Sequence, residues 1–170
     1  MRRPAAGEAA EYFWKYIDRV DGDDPVVTLE AQLKELQELA AEFSEERSLY
    51  RYAEGKWSVR EALSHVTDTE RAFVFRALWF GRGFRDAMPS FDQDVSVAGA
   101  KADRLAWATH VEEFLRVREA TVALFRNMPE EAWDRSGVAS GKPVSVRALA
   151  FLCAGHATHH FTILRERYMS

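Results

Sequence analysis

One cysteine, Cys153, in 170 residues excludes an internal disulfide and, with it, the disulfide-stapled secreted scaffolds. The chain has no run of the ~18–20 apolar residues that a membrane helix needs, because Arg76 interrupts AFVFRALWF and His156 closes ALAFLCAGH. Positive charge is also short. Against 27 acidic residues stand 23 basic ones, net charge -4, and the basic ones are scattered rather than striped, so the footprint of a nucleic-acid binder is missing. The opening MRRPAAGEAAEYFWKY has no apolar signal region, which leads us to expect a cytoplasmic protein. Proline is confined to Pro4, Pro25, Pro89, Pro129 and Pro143, and no strand-like alternation of useful length occurs between them. What the chain does have is 47% hydrophobic residues with 11 Phe, 5 Trp and 5 Tyr, enough large apolar surface for one folded domain over residues 1–170.

The stretches between prolines predict an all-α protein: a four-helix bundle with a short leading helix and a long crossover loop. Residues 8–20 place Tyr12, Phe13, Tyr16, Ile17 and Val20 on one stripe, which makes the leading helix. The first long helix is expected from Thr28 as N-cap, through Leu29, Leu33, Leu36, Ala40 and Phe43. Ser58 and Glu61 have capping-box spacing and open a second, which runs to about Gly81 and is bulky on more than one face. Residues 82–102 lack periodicity and read as a crossover or a lid over a site. A third helix is expected to start near Thr109 with Glu112 as its box partner, and to end before Pro129. Ser145 caps the fourth, which continues to the end of the chain.

His156 and His160 are spaced i, i+4, so they share a face of the fourth helix about one turn apart, a spacing suited to one metal ion. The bland alternative is a pair of core or capping histidines. An internal echo adds weight: the second helix starts Ser58-Val59-Arg60 and the fourth Ser145-Val146-Arg147. Counted from each serine, His65, His156 and His160 fall within about 80° of one another at ~100° per residue. With these two helices as parallel diagonal partners, the three imidazoles converge on one point. Three histidines with a vacant fourth position make the catalytic type of zinc site, and nickel or another divalent ion fits as well. His159 points about 100° away from its neighbour. Gly155, inside a helix, suggests that something needs the backbone close there, and tight packing explains it equally well.

With these residues in view, the chain resembles the DinB-like superfamily of four-helix-bundle proteins along essentially its whole length. The resemblance lies in YRYAEGKWSVREALSHVTDTERAFVFRAL, in PSFDQD of the crossover, and in PVSVRALAFLCAGHATHHFTILRERY. It points to the branch of bacillary metal-dependent hydrolases and bacillithiol S-transferases. The resemblance implies a divalent metal on His65, His156 and His160, and a low-molecular-weight thiol such as bacillithiol or mycothiol as co-substrate.

Other candidates have two readings each. Arg118 falls on the apolar stripe of the third helix, so its charge needs a partner. Arg118 or Arg76 binds an anionic substrate or thiol, or else makes an internal salt bridge, with Asp68 and Glu70 as the available acids. Asp68 orients a ligand imidazole, serves as general base, or sits on a solvated face. Cys153 reads as a small buried hydrophobe rather than a nucleophile. Trp79, Phe84, Phe91 and Trp107 flank the crossover, either lining a pocket mouth or packing in the loop. The expected function is metal-assisted activation of a thiol for transfer to a small electrophile. Hydrolysis by metal-activated water and a non-catalytic metal-binding or interaction module are the alternatives. A homodimer is expected from the surplus apolar surface of the leading and second helices.

Overall fold

The two Ser-Val-Arg segments do the same structural work. Ser58 caps α3 (Val59–Gly81): its Oγ accepts from the Glu61 amide at 3.0 Å, and the Glu61 carboxylate accepts from the Ser58 amide at 3.0 Å. Ser145 caps α6 (Val146–Ile163) and accepts from the Ala148 amide at 3.0 Å. Val59 and Val146 are fully buried, and each following arginine folds back to hold the preceding chain. Arg60 donates to Ser48 Oγ at 2.7 Å and to the Glu45 carbonyl at 2.8 Å, while Arg147 pairs with Asp134.

The computed structural model describes residues 2–169 and corrects several expected boundaries. α2 (Pro25–Ala41) begins before Thr28, because Asp24 accepts from the Val26 amide at 3.0 Å and Pro25 suits the first helical position. α5 (Trp107–Arg126) begins before Thr109; the Trp107 amide donates to the Glu45 carboxylate at 2.8 Å, so a distant side chain replaces the expected box. The leading helix shrinks to a 3₁₀ turn, Glu11–Phe13, followed by α1 (Trp14–Ile17), which buries Tyr16 and Ile17. The crossover holds a helix of its own, α4 (Gln93–Ala100), in which Asp92 accepts from the Asp94 and Val95 amides. A small antiparallel hairpin, β1 (Ser136–Ala139) and β2 (Lys142–Ser145), was not expected, since strands this short carry no readable alternation. Ser140 and Gly141 close it at φ +54° and +70°, the positive values a two-residue hairpin turn requires.

α3 packs on α5 and α6, and α2 packs on the same two, so α2 lies diagonally across from α3, and α5 from α6. α3 and α6 are therefore neighbours, and they run antiparallel. The Tyr168 hydroxyl donates to the Trp57 carbonyl at 2.8 Å at one end, and the Cβ position of Gly81 lies 3.9 Å from Val146 at the other. The expected parallel diagonal pairing is thus replaced. Apolar periodicity tells which face is buried and is silent about which helix covers it.

The apolar core comes in two halves with a polar layer between them. Along α2, Leu29 belongs to one half and Leu36 to the other, with buried Gln32 between; along α3, Glu70 separates Phe73 from Val66. Arg118 divides Phe125 from Phe114 on α5, and His156 divides Cys153 from Ala157 on α6. Arg118 Nε donates to both Glu70 oxygens at 2.9 and 3.1 Å, and Nη2 donates at 2.7 Å. Its Nη1 donates to the Gln32 side chain, and Gln32 Nε2 donates onward to the Ala154 carbonyl and Thr158 Oγ1, both at 2.8 Å. One network thereby ties all four long helices.

α1 lies on α6 at Gly155, where an added Cβ would stand 2.0 Å from the Tyr16 carbonyl oxygen. A Gly155→Ala variant is expected to push α1 away and lose about 1–3 kcal/mol, the usual cost of overpacking. A denaturation midpoint matching wild type would show that α1 is not seated there.

Candidate metal centre

His156 and His160 lie one turn apart on α6, and antiparallel α3 brings His65 against them. His65 Nε2 is 3.2 Å from His156 Nε2, and one ligand nitrogen from each of the three residues lies within 4.8 Å of the others. On a tetrahedral ion, nitrogens at 2.0–2.1 Å stand roughly 3.3 Å apart, so the closest pair already has the required separation. His65 and His156 are buried and His160 is half-buried.

Burial pushes the His65 imidazole down to about 4, although the charges of Asp68 and Asp94 pull the other way. Burial is also the main cause holding His156 and His160 well below the ordinary histidine value, and their histidine neighbours add to it. All three rings are consequently neutral near pH 7, with lone pairs available to a cation. Thr69 Oγ1 stands 3.4 Å from His65 Nδ1, and Trp57 packs on the same ring with centroids 4.8 Å apart. Tyr16 meets His156 edge-on at 5.2 Å and also contacts His159 at 5.3 Å. His159 thus turns toward α1, and the edge of its ring also meets His160 at 5.1 Å.

Two expected catalytic residues have polar partners of their own. Asp68 accepts from Ser96 Oγ at 3.0 Å and pairs with Arg71, so it fastens α4 to α3; Thr69, not Asp68, lies against the His65 ring. Arg118 is fully buried in the Glu70 pair, which is the internal-salt-bridge reading, and it does not line the cleft described next. Cys153 is sealed in the core, and burial pushes its thiol up, which makes it a poor nucleophile. Of the aromatics flanking the crossover, Phe91 lines the cleft, Trp79 and Phe84 stack on each other at 4.2 Å, and Trp107 is core.

A cleft of about 370 Å³ opens on His65 and His156 between α1, α3, α4 and the hairpin turn. Its polar lining includes Tyr16, Thr69, Arg76, Asp92, Asp94 and Ser140. A second cleft, about 320 Å³, reaches His160 past Trp57 and Tyr168, and Asp94 lines it too. Asp94, Tyr16 and Ser140 were not singled out from the sequence. The available signal for Asp94 was Asp92-x-Asp94 in PSFDQD, an N-cap followed by a first-turn acid at the start of α4.

The sequence pattern of the DinB superfamily matches residues 28–164. Among solved structures, the chain is similar to YfiT from Bacillus subtilis, described as a probable metal-dependent hydrolase with an unusual four-helix bundle topology. The match has TM-score 0.73 and 15% identity, over 96% of this chain and 90% of that one. A mycothiol-dependent maleylpyruvate isomerase is similar at TM-score 0.68 and 13% identity, over 81% of this chain and 58% of that one. The chain therefore spans less than two thirds of the isomerase. At these identities the likeness is one of fold. No curated protein matches the sequence.

Proposed function

The chain belongs to the DinB superfamily, and from that premise we propose that it is a metal-dependent enzyme that activates a low-molecular-weight thiol for transfer to a small electrophile, in the manner of detoxification. The observation that supports this reading is the convergence of His65, His156 and His160 at the floor of open clefts. Among the described residues, the cluster comprises these three and no fourth ligand. The donor set suits zinc or nickel. When bound, such an ion supplies Lewis acidity that lowers the pKa of a thiol or water.

The chain does the rest. Thr69 and Trp57 hold the His65 ring, and Tyr16 holds the edge of His156. Asp94 lines both clefts and its charge is felt at His65, and we assign it the role of proton acceptor. The α4 segment, fastened by the Ser96 hydroxyl donating to Asp68, forms one wall of the cleft. Attack by water is the second reading, favoured by the description of YfiT as a probable hydrolase.

Metal analysis of the purified protein, followed by conjugation of a low-molecular-weight thiol to monochlorobimane, tests the proposal. Conjugation that requires the ion supports it; an ion with no conjugation moves the assignment to hydrolysis. Cys153→Ala is expected to keep metal and transfer activity, because the attacking sulfur comes from a free thiol. Loss of transfer with the metal retained would place the nucleophile on the chain. The reading also includes a homodimer. The leading segment and α3 bury most of the surface that suggested it, leaving Tyr12 and Phe75 exposed, so sedimentation that shows only monomer at micromolar concentration removes it.

A further inference from the structure

Four arginines are buried: Arg60, Arg76, Arg118 and Arg147. Three of them reach a carboxylate, Arg60 with Glu45, Arg118 with Glu70 and Arg147 with Asp134. Arg76 has no such partner among the described residues, although it is only 7% exposed. Its Nη2 donates to the Pro89 carbonyl at 2.8 Å and to Ser140 Oγ at 3.2 Å, both neutral acceptors. Nε and Nη1 make no hydrogen bond among the described residues, and the side chain forms part of the cleft wall beside His65 and His156. A buried guanidinium without a counter-charge is costly, and the fork it presents matches a carboxylate.

We infer that this cleft binds a ligand through a carboxylate seated on Arg76 and Ser140, with the ligand's remainder directed toward the histidines. Charge sets that orientation. Asp94 lines the cleft and its charge is felt at His65, while Arg76 is the one Lys or Arg among the described residues lining it, so in the metal-free cleft the Arg76 end is the one that attracts an anion. Asp92, the other acid on the wall, already accepts from two amides at the start of α4. Arg76 follows His65 by eleven positions on α3, about 16 Å of helical rise, and its side chain leans back toward the helix start. A molecule touching both ends is therefore extended, on the order of 10 Å, and its middle lies against Phe13, Ala72 and Phe73. Placing the reacting atom at the histidine end rests on the proposed function; carboxylate recognition does not.

The test uses chelator-treated full-length protein, so that no ion competes for the anion, and compares hexanoate with hexanamide as probes. The Arg76 Nε–H resonance is expected to shift saturably with hexanoate and to respond weakly to the neutral amide. Arg76→Lys is expected to weaken hexanoate binding about tenfold through loss of the fork, and Arg76→Gln to abolish the preference for the anion. Equal binding of the two probes, or no binding, overturns the inference in wild-type protein without any variant. So does an Arg76→Gln protein that still prefers hexanoate. Metal uptake is measured on a parallel sample: failure of the metal reading appears there and leaves the anion preference intact.

Discussion

His156→Ala is expected to lose stoichiometric metal and thiol transfer together. His156 stands in the middle of the cluster, with its Nε2 3.2 Å from that of His65 and its ring 4.5 Å from that of His160. Without it, two nitrogens from different helices face a void where a directional ligand stood. Loss of a group that merely orients a ligand lowers metal affinity about 10–100-fold, so removing the ligand itself should exceed that range. Metal content after dialysis is the measurement, and His159→Ala is the control, expected to retain the ion because its ring faces Tyr16. An equimolar ion held by His156→Ala would sink the three-histidine assignment.

Glu70→Gln is expected to cost about 3–5 kcal/mol of unfolding free energy, the usual penalty for leaving a buried charge without its partner. Arg118 would remain fully buried with only neutral acceptors from Gln32 and Leu29. Replacing both charges by apolar side chains, Glu70→Leu with Arg118→Met, should recover much of the loss, since desolvating the pair already offsets much of its attraction. Metal affinity should stay low in that double variant. Gln32 would lose the guanidinium that orients it toward Ala154 and Thr158, and those two residues flank His156. Urea unfolding of the single and double variants decides the matter; a single-variant loss below about 1 kcal/mol would mean the network carries little.

Features encoded within one or two turns were legible in the sequence. Ser58 and Ser145 cap as expected because a cap needs only the next three residues. The shared face of His156 and His160 followed from helical geometry in the same way, whereas their meeting with His65 depends on the antiparallel packing of α3 on α6. Arg118 was recognisable as a charge needing a partner, and the structure supplies Glu70. Features set by distant residues were not legible. Glu45 caps α5 from another part of the chain, which no reading of Thr109 and Glu112 could reveal. α4 has little periodicity because it is held at its ends and on one side, by Asp92, by Ser96 to Asp68, and by buried Val97. The diagonal order of helices leaves no mark on hydrophobic spacing at all.

That order has a kinetic consequence. In an up-and-down bundle each helix docks on the one before it, so short hairpins collapse early. Here α2 and α3 lie across a diagonal, as do α5 and α6, and the favourable pairings join segments far apart in the chain. His65 and His156 are 91 residues apart. Loop closure over such distances precedes any reward from packing, which slows folding relative to a bundle rich in local contacts. During synthesis the two α6 histidines emerge well after His65, so α3 must wait with its bulky face uncovered. The three-histidine cluster is completed only when α6 has packed on α3, so a chain that stops short of α6 holds His65 alone.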